Sequence, residues 1–117
     1  MVGLLTPVID SGSNITIFGD TAIPFDAWGR YTPSTTLSLS AVLKPTSGAL
    51  KSATVPFQVA NTASLLAGTY AAFDNIAAYT SVSGYFIWGL PFFFGRSVYT
   101  ALSGSQAGPQ SGPFVAF

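Results

Sequence analysis

The chain has no cysteine, no histidine and no glutamate among its 117 residues, and it carries only four aspartates and four basic residues. Without cysteine it forms neither disulfides nor thiolate zinc sites. Without histidine and cysteine, a Ser-His-Asp triad and a cysteine nucleophile are both excluded. A metal would have to be held by aspartate oxygens, and the aspartate spacing matches no calcium loop. We therefore expect no cofactor and no metal.

Charge is also scarce. Charged residues make up 7% of the chain and the net charge is zero, against roughly 25% charged residues in an ordinary globular domain. No basic cluster is present, so nucleic acid is not an expected partner. So apolar a chain favours association with a second copy or with another partner. The alternative is a secreted β protein whose surface is polar but uncharged.

Long apolar runs are missing too. The longest, Tyr85–Phe94, is about half the ~20 residues that a membrane-spanning helix needs, and Gly89 and Pro91 interrupt it. We predict no transmembrane segment. The first ten residues lack the basic start and the continuous apolar stretch of a signal peptide.

What the chain does have is a large share of β-favouring residues, punctuated by glycine and proline. We predict a single all-β domain over residues 1–117. The clearest element is a hairpin, with alternating strands at 37–43 and 50–59 around a turn at 44–48. Four further strands are predicted at 14–18, 85–88, 97–102 and 114–117, and a buried strand with Pro7 near an edge is predicted at 4–9. Loops are predicted at 19–36 and 103–112, and one helical turn is predicted at 89–95. One short helix is predicted within 60–83, from the helical spacing of Leu65, Leu66, Tyr70, Phe73 and Ala77.

The stretch "VIDSGSN" at 8–14 carries the chemistry. Asp10 ends an apolar strand and is followed by Ser11, Gly12 and Ser13. Glycine lets the backbone turn sharply and bring an N–H close to the carboxylate, and the serine hydroxyls are further donors. Aspartic proteases use this arrangement. The tripeptide alone equally fits a simple turn in which Asp10 accepts hydrogen bonds from residues 11–13. The sequon "NIT" at 14–16 lies in a predicted core strand and is interpreted as chance.

A second element favours the protease interpretation. Ile87-Trp88-Gly89 precedes "LPFFFGRSVYTAL", and the chain closes with "GPFVAF". This order resembles the end of a pepsin-like lobe, in which a late strand ending in two hydrophobic residues and a glycine threads the aspartate loop. "DSGSN", "YTPSTTLSLSA", "VPFQVANTASL" and "WGLPFFFGRSVYTAL" together resemble the later half of a bacterial family of unknown function with pepsin-like lobes, usually exported.

The resemblance implies a single acid-protease lobe, an extracytoplasmic location and a polypeptide substrate. It makes Asp10 catalytic and assigns support of its loop to Ser11, Gly12, Ser13, Ile87, Trp88 and Gly89. The chain departs from the family because cysteines expected near 24–32 are absent and because only one of the two usual lobes is represented. A flap would be the 37–59 hairpin, with Gly48 in its tip, and the loop 25–33, with Phe25, Trp28 and Tyr31, is the alternative lining of a groove.

Such chemistry needs two carboxylates that share one proton. Asp20, Asp26 and Asp74 lie in predicted loops without a Ser-Gly context and are interpreted as turn or surface residues. Three hypotheses remain open. The chain forms a symmetric homodimer in which Ser11 bonds across the interface; it is a truncated lobe that is inactive alone; or it is a non-enzymatic binding or structural lobe in which Asp10 only orders its turn.

Overall fold

The computed structural model describes residues 6–45 and 51–117. In that part of the chain, strands are short and helix is minimal, which confirms the all-β prediction. The strands are β1 (Thr6–Ile9), β2 (Thr16–Phe18), β3 (Leu37–Leu43), β4 (Ala53–Val59), β5 (Ala77–Tyr79), β6 (Tyr85–Trp88), β7 (Tyr99–Ala101), β8 (Gln106–Ala107), β9 (Gln110–Ser111) and β10 (Phe114–Ala116). A short α-helix, α1, spans Thr62–Leu66, and a 3-10 helix spans Leu90–Phe93.

The central sheet has the strand order β1-β6-β2-β5. Strand β6 runs parallel to β1 and antiparallel to β2, and β2 runs parallel to β5. Strands β1 and β2 follow each other in the chain, yet β6 lies between them. The segment that joins β1 to β2 therefore crosses over the carboxyl end of β6. The expected threading of the aspartate loop by the strand that ends at Trp88 is confirmed.

The core lies between this sheet and the β3–β4 hairpin. One face of the sheet contributes Phe18, Phe86 and Trp88, all nearly inaccessible to solvent. Phe57 of β4 packs edge-on against all three, with its ring centroid 5.2 Å from that of Trp88. The predicted alternation of β3 is confirmed, since Leu37, Leu39, Ala41 and Leu43 pack toward the core while the residues between them are exposed.

Two predictions about the first strands are wrong. Strand β1 forms an edge of the sheet, as Pro7 predicts, but it is not buried, since Val8 is 42% exposed. Asn14 does not lie in a core strand: it precedes β2 and is exposed, while Thr16 and Phe18 are the buried residues of β2.

The interpretation of residues 60–83 is only partly right. A short helix is present, and the side chain of Asn61 accepts the Ser64 N–H at its start, but the helix ends at Leu66. Ala77 belongs to strand β5 instead of a helix. Strand β5 is held from outside, because the buried Thr62 hydroxyl donates to the Ala77 carbonyl at 3.0 Å and the Tyr31 N–H donates to the same carbonyl at 3.2 Å.

Toward the carboxyl terminus the predicted strands are confirmed as β7 and β10, which pair antiparallel. The predicted loop 103–112 contains the small β8–β9 hairpin. Most of the predicted turn at 44–48, including Gly48 of the candidate flap, lies outside the described residues. Across the described ranges, no helix is both long enough and apolar enough to span a membrane.

Candidate functional site

Asp10 is fixed at the carboxyl end of β1 by its backbone. Its N–H donates to the carbonyl of Trp88 at 2.8 Å, which continues the parallel β1–β6 ladder by one more bond. Its carbonyl accepts the N–H of Ser13 at 3.2 Å, which closes a turn. The main chain of Asp10 is therefore held on both sides, and its orientation depends on β6.

The carboxylate of Asp10 accepts two hydrogen bonds from its own turn. The Gly12 N–H donates to Oδ1 at 2.9 Å, and the Ser13 hydroxyl donates to Oδ2 at 2.6 Å. These two bonds hold the pKa of Asp10 below its ordinary value, because they stabilise the ionised form. The bond from Ser13 has the larger effect on the pKa. Each carboxylate oxygen keeps a further lone pair for a ligand.

Gly89 allows the close approach of the two crossing segments. A Cβ at this position would collide with the Ile15 carbonyl and lie 2.6 Å from the Ser13 carbonyl oxygen. The next residue bonds directly to the turn, since the Leu90 N–H donates to the Ser13 carbonyl at 2.7 Å. Only glycine fits here, because the carbonyls of the Asp10 turn lie where any side chain would begin.

Ile87 and Trp88 support the turn from β6. Ile87 lies beside both Val8 and Ile17, and Trp88 lies beside Ile9. The Trp88 ring is buried among Phe57, Phe86 and Phe92. Trp88 contacts the Asp10 turn through its carbonyl and Gly89 through its close approach to Ser13, whereas Ile87 lies one residue further back along β6. Ser11 is exposed and, within the described ranges, its hydroxyl makes no hydrogen bond, so its role across an interface stays a prediction.

The family of the chain follows from its sequence as a whole. A model for a protein family of unknown function, DUF3443, matches residues 3–117. The chain belongs to this family. Comparisons with curated proteins and with solved structures gave no significant match. Membership in DUF3443 carries no activity, so the chemistry of the site rests on its geometry.

The other aspartates lie away from Asp10. Asp20 follows β2 at the opposite end of the sheet, where its Oδ1 accepts the Ala22 N–H. Asp74 precedes β5, which is three strand spacings, or about 14 Å, from β1. Across the described ranges no three acidic side chains come together to hold a metal. The second carboxylate that a two-carboxylate site needs is not supplied by these residues.

Asp26 is committed to its own loop. Burial opposes its ionisation, but bonds from the backbone and side chain of Arg30 and from the Trp28 N–H hold its pKa below the ordinary value. The Nε–H of Arg30 donates to Oδ2 of Asp26, and Nη2 of Arg30 lies 2.7 Å from the same oxygen. This ion pair was not predicted from sequence, although its i, i+4 spacing was visible.

The loop 25–33 is the predicted alternative lining of a substrate groove, and its three aromatic residues differ in whether they could serve this role. Tyr31 cannot line a groove, because it is fully buried, and its hydroxyl donates to the Phe18 carbonyl at 2.7 Å. Burial raises the pKa of Tyr31 to about 12. Phe25 stacks on Tyr79, with ring centroids 4.1 Å apart. Trp28 is 79% exposed, and the Arg30 guanidinium lies 4.7 Å from its ring centre.

A groove of about 300 Å³ opens between the β3–β4 hairpin and the 3-10 helix, and nothing in the sequence indicated it. Its apolar wall includes Phe57, Trp88 and Phe92, and its polar lining includes Gln58, Asp74 and Arg96. These side chains come from three separate stretches of the chain, at 57–58, 74 and 88–96. Their proximity depends on the tertiary packing, which local sequence patterns do not report.

Proposed function

We propose that the protein hydrolyses peptide bonds by aspartic-type chemistry, with Asp10 as one half of a two-carboxylate site. The observation that carries the proposal is the carboxylate of Asp10, which accepts hydrogen bonds from both Gly12 and Ser13. The turn that holds it crosses over the carboxyl end of β6. The pepsin-like lobe that the sequence resembles has the same order of elements. This agreement supports an acid-protease lobe as the finer description of the all-β fold.

The chemistry divides two roles between two carboxylates. One is ionised and takes a proton from a water molecule that attacks the peptide carbonyl, while the other is protonated and donates to the carbonyl oxygen. The lowered pKa of Asp10 suits the ionised role. When a second carboxylate comes within about 3 Å, the pair shares one proton and titrates with two separate apparent pKa values.

A second lobe or a second copy of the chain would supply the other carboxylate. Exposed apolar side chains support association, because Val8, Tyr85 and Leu90 lie in or next to the two strands that hold the Asp10 turn and each remains at least 39% exposed. A two-fold axis beside the turn would bring two Asp10 side chains face to face. Export, implied by the resemblance, is part of the same proposal, since acidic hydrolysis of polypeptides suits a compartment outside the cytoplasm.

The competing hypothesis is a catalytically silent lobe. The same two hydrogen bonds would then only order the turn, as an aspartate does in many turns that precede no active site. A binding or structural module of this kind needs no second carboxylate. The two hypotheses differ in one measurable property, which is cleavage that depends on the Asp10 carboxylate.

The test is cleavage of an unfolded polypeptide between pH 3 and pH 6, at protein concentrations on both sides of the self-association midpoint. The wild type is compared with Asp10→Asn and with Asp20→Asn. Asp20 is a matched control because its Oδ1 accepts a backbone N–H two residues on, as that of Asp10 does. Sedimentation gives the oligomeric state of each sample.

The proposal expects cleavage that appears with the dimer, or with an added first lobe of the same family, and is lost in Asp10→Asn but kept in Asp20→Asn. Cleavage that survives in Asp10→Asn would assign the activity to other residues. Absence of cleavage from both the dimer and the two-lobe mixture, with a correctly folded Asp10→Asn, would favour the silent lobe.

A further inference from the structure

The groove beside the 3-10 helix combines an apolar wall with charges of both signs. Phe57, Trp88 and Phe92 form part of the wall, and the rings of Trp88 and Phe92 lie 5.2 Å apart. At about 300 Å³ it lies at the small end of the range that binds small molecules. Its size and walls fit one apolar group of modest dimensions.

Arg96 is the cation of the groove. It is partly buried, and its guanidinium carbon lies 4.4 Å from the ring centre of Phe92 and 6.0 Å from that of Phe117. Within residues 6–45 and 51–117 it forms neither an ion pair nor a side-chain hydrogen bond. The guanidinium therefore lies against the Phe92 ring, while its five N–H donors remain available for a carboxylate.

Asp74 is the anion of the same groove. It is exposed and, among the described residues, it does not pair with Arg96 although both line the cavity. Gln58 adds an amide with both donor and acceptor atoms. A cation and an anion that share one cavity without neutralising each other are complementary to a ligand that carries both charges.

We propose that this groove binds a free α-amino acid with an apolar side chain. The ligand carboxylate pairs with Arg96, its ammonium group pairs with Asp74, and its side chain packs on the half-buried ring of Phe57, above the buried rings of Trp88 and Phe92. This binding site is separate from the Asp10 carboxylate and does not depend on the activity proposed for it.

The test is a titration of the ¹⁵N-labelled protein by NMR, with three ligands that differ in one charge each. L-Phenylalanine carries both charges, N-acetyl-L-phenylalanine lacks the ammonium group, and L-phenylalaninamide lacks the carboxylate. We expect shifts of the Gln58, Trp88 and Arg96 side-chain signals. L-Phenylalanine should bind about tenfold more tightly than either analogue, because each lost charge-assisted contact is worth about 1.5 kcal/mol or more.

Variants assign the contacts. Arg96→Gln should weaken L-phenylalanine about tenfold and leave L-phenylalaninamide nearly unchanged. Asp74→Asn should weaken L-phenylalanine about tenfold and leave N-acetyl-L-phenylalanine unchanged or slightly tighter. Lys51→Gln is the control, since Lys51 is exposed and lies outside the groove lining. It should bind as the wild type does.

Asp74→Asn keeps the proposal testable if Arg96→Gln disturbs the contacts with Phe92 and Phe117, because Asp74 is an exposed side chain. Equal affinity for all three ligands would overturn the proposal, and so would shifts confined to residues outside the groove. Tighter binding of N-acetyl-L-phenylalanine than of L-phenylalanine would also overturn it, because the site would then accept a carboxylate alone. Loss of cleavage in Asp10→Asn has no bearing on these outcomes.

Discussion

The Ser13 hydroxyl donates a hydrogen bond of 2.6 Å to Oδ2 of Asp10, three residues before it. This bond is the largest influence on the pKa of Asp10, and the bond from the Gly12 N–H acts in the same direction. The turn therefore does more than reverse the chain. It keeps a carboxylate ionised and oriented at the point where two parallel strands end.

Removal of that hydroxyl should raise the pKa of Asp10. In Ser13→Ala the ionised carboxylate loses its strongest donor, while the Gly12 N–H remains. The ¹³C carboxyl signals of the aspartates, followed through the acid range, report the change, and Asp10→Asn identifies the signal. Ser11→Ala is the matched control, because its exposed hydroxyl makes no bond to Asp10 in the described chain. An unchanged titration in Ser13→Ala would contradict the hydrogen-bond geometry.

Gly89→Ala should destabilise the fold. The new methyl group would meet the carbonyls of Ser13 and Ile15, so β6 and the Asp10 turn would have to separate. Overpacking of this kind costs about 1–3 kcal/mol or more, and each kcal/mol lowers the melting temperature of a domain of this size by about 4 °C or more.

The control for this substitution is Gly68→Ala, whose added carbon would make only an ordinary contact with the Leu65 carbonyl. Its free energy of unfolding should lie within about 0.5 kcal/mol of the wild-type value, so its melting temperature should hardly change. Equal melting temperatures for Gly89→Ala and Gly68→Ala would contradict the tight crossing of the two segments.

How far the sequence predicts this site is clear from Asp10 and Gly89. Both positions follow from local signals, namely an apolar run that ends in a polar turn and a second run that ends in glycine. The periodicity of the sequence does not predict their contact, because 79 positions separate them in the chain. A contact between such distant residues leaves no pattern in the sequence around either of them. The threading came from the resemblance to pepsin-like lobes, and the structure contains it.

Strand β5 escaped prediction for a physical reason. Ala77 and Ala78 have little intrinsic preference for strands, and their neighbours have helical spacing. The strand forms because its groups bond to distant residues, as when Ala77 accepts from Tyr31 and from Thr62. The charged groove was missed for the same reason, since Asp74 and Arg96 have no local pattern that connects them.

Tyr31→Phe should lower stability through its hydroxyl alone. That hydroxyl donates to the Phe18 carbonyl and accepts the Asp20 N–H at 2.9 Å, so its removal leaves polar groups near the core without a partner. We expect a loss of about 1–3 kcal/mol, measured by urea unfolding at neutral pH. Tyr70→Phe, on an exposed side chain, should leave the stability unchanged, and an equal loss in both variants would contradict the assigned role of Tyr31.

Asp26→Asn should make the protein less stable at neutral pH, but not in acid. The pKa of Asp26 is lowered in the folded state, so its ionised form stabilises the fold above the unfolded pKa of about 3.9. That contribution is lost as the pH falls through the folded pKa. Asparagine keeps an oxygen for the Trp28 and Arg30 N–H groups but loses the ion pair with Arg30. Melting temperatures of the two proteins should therefore differ at pH 7 and converge below pH 4.

Salt provides a second check on the same ion pair. Because the pair is partly exposed, the difference in melting temperature at pH 7 should shrink in 1 M salt. A difference that grows toward acid pH would contradict the lowered pKa of Asp26.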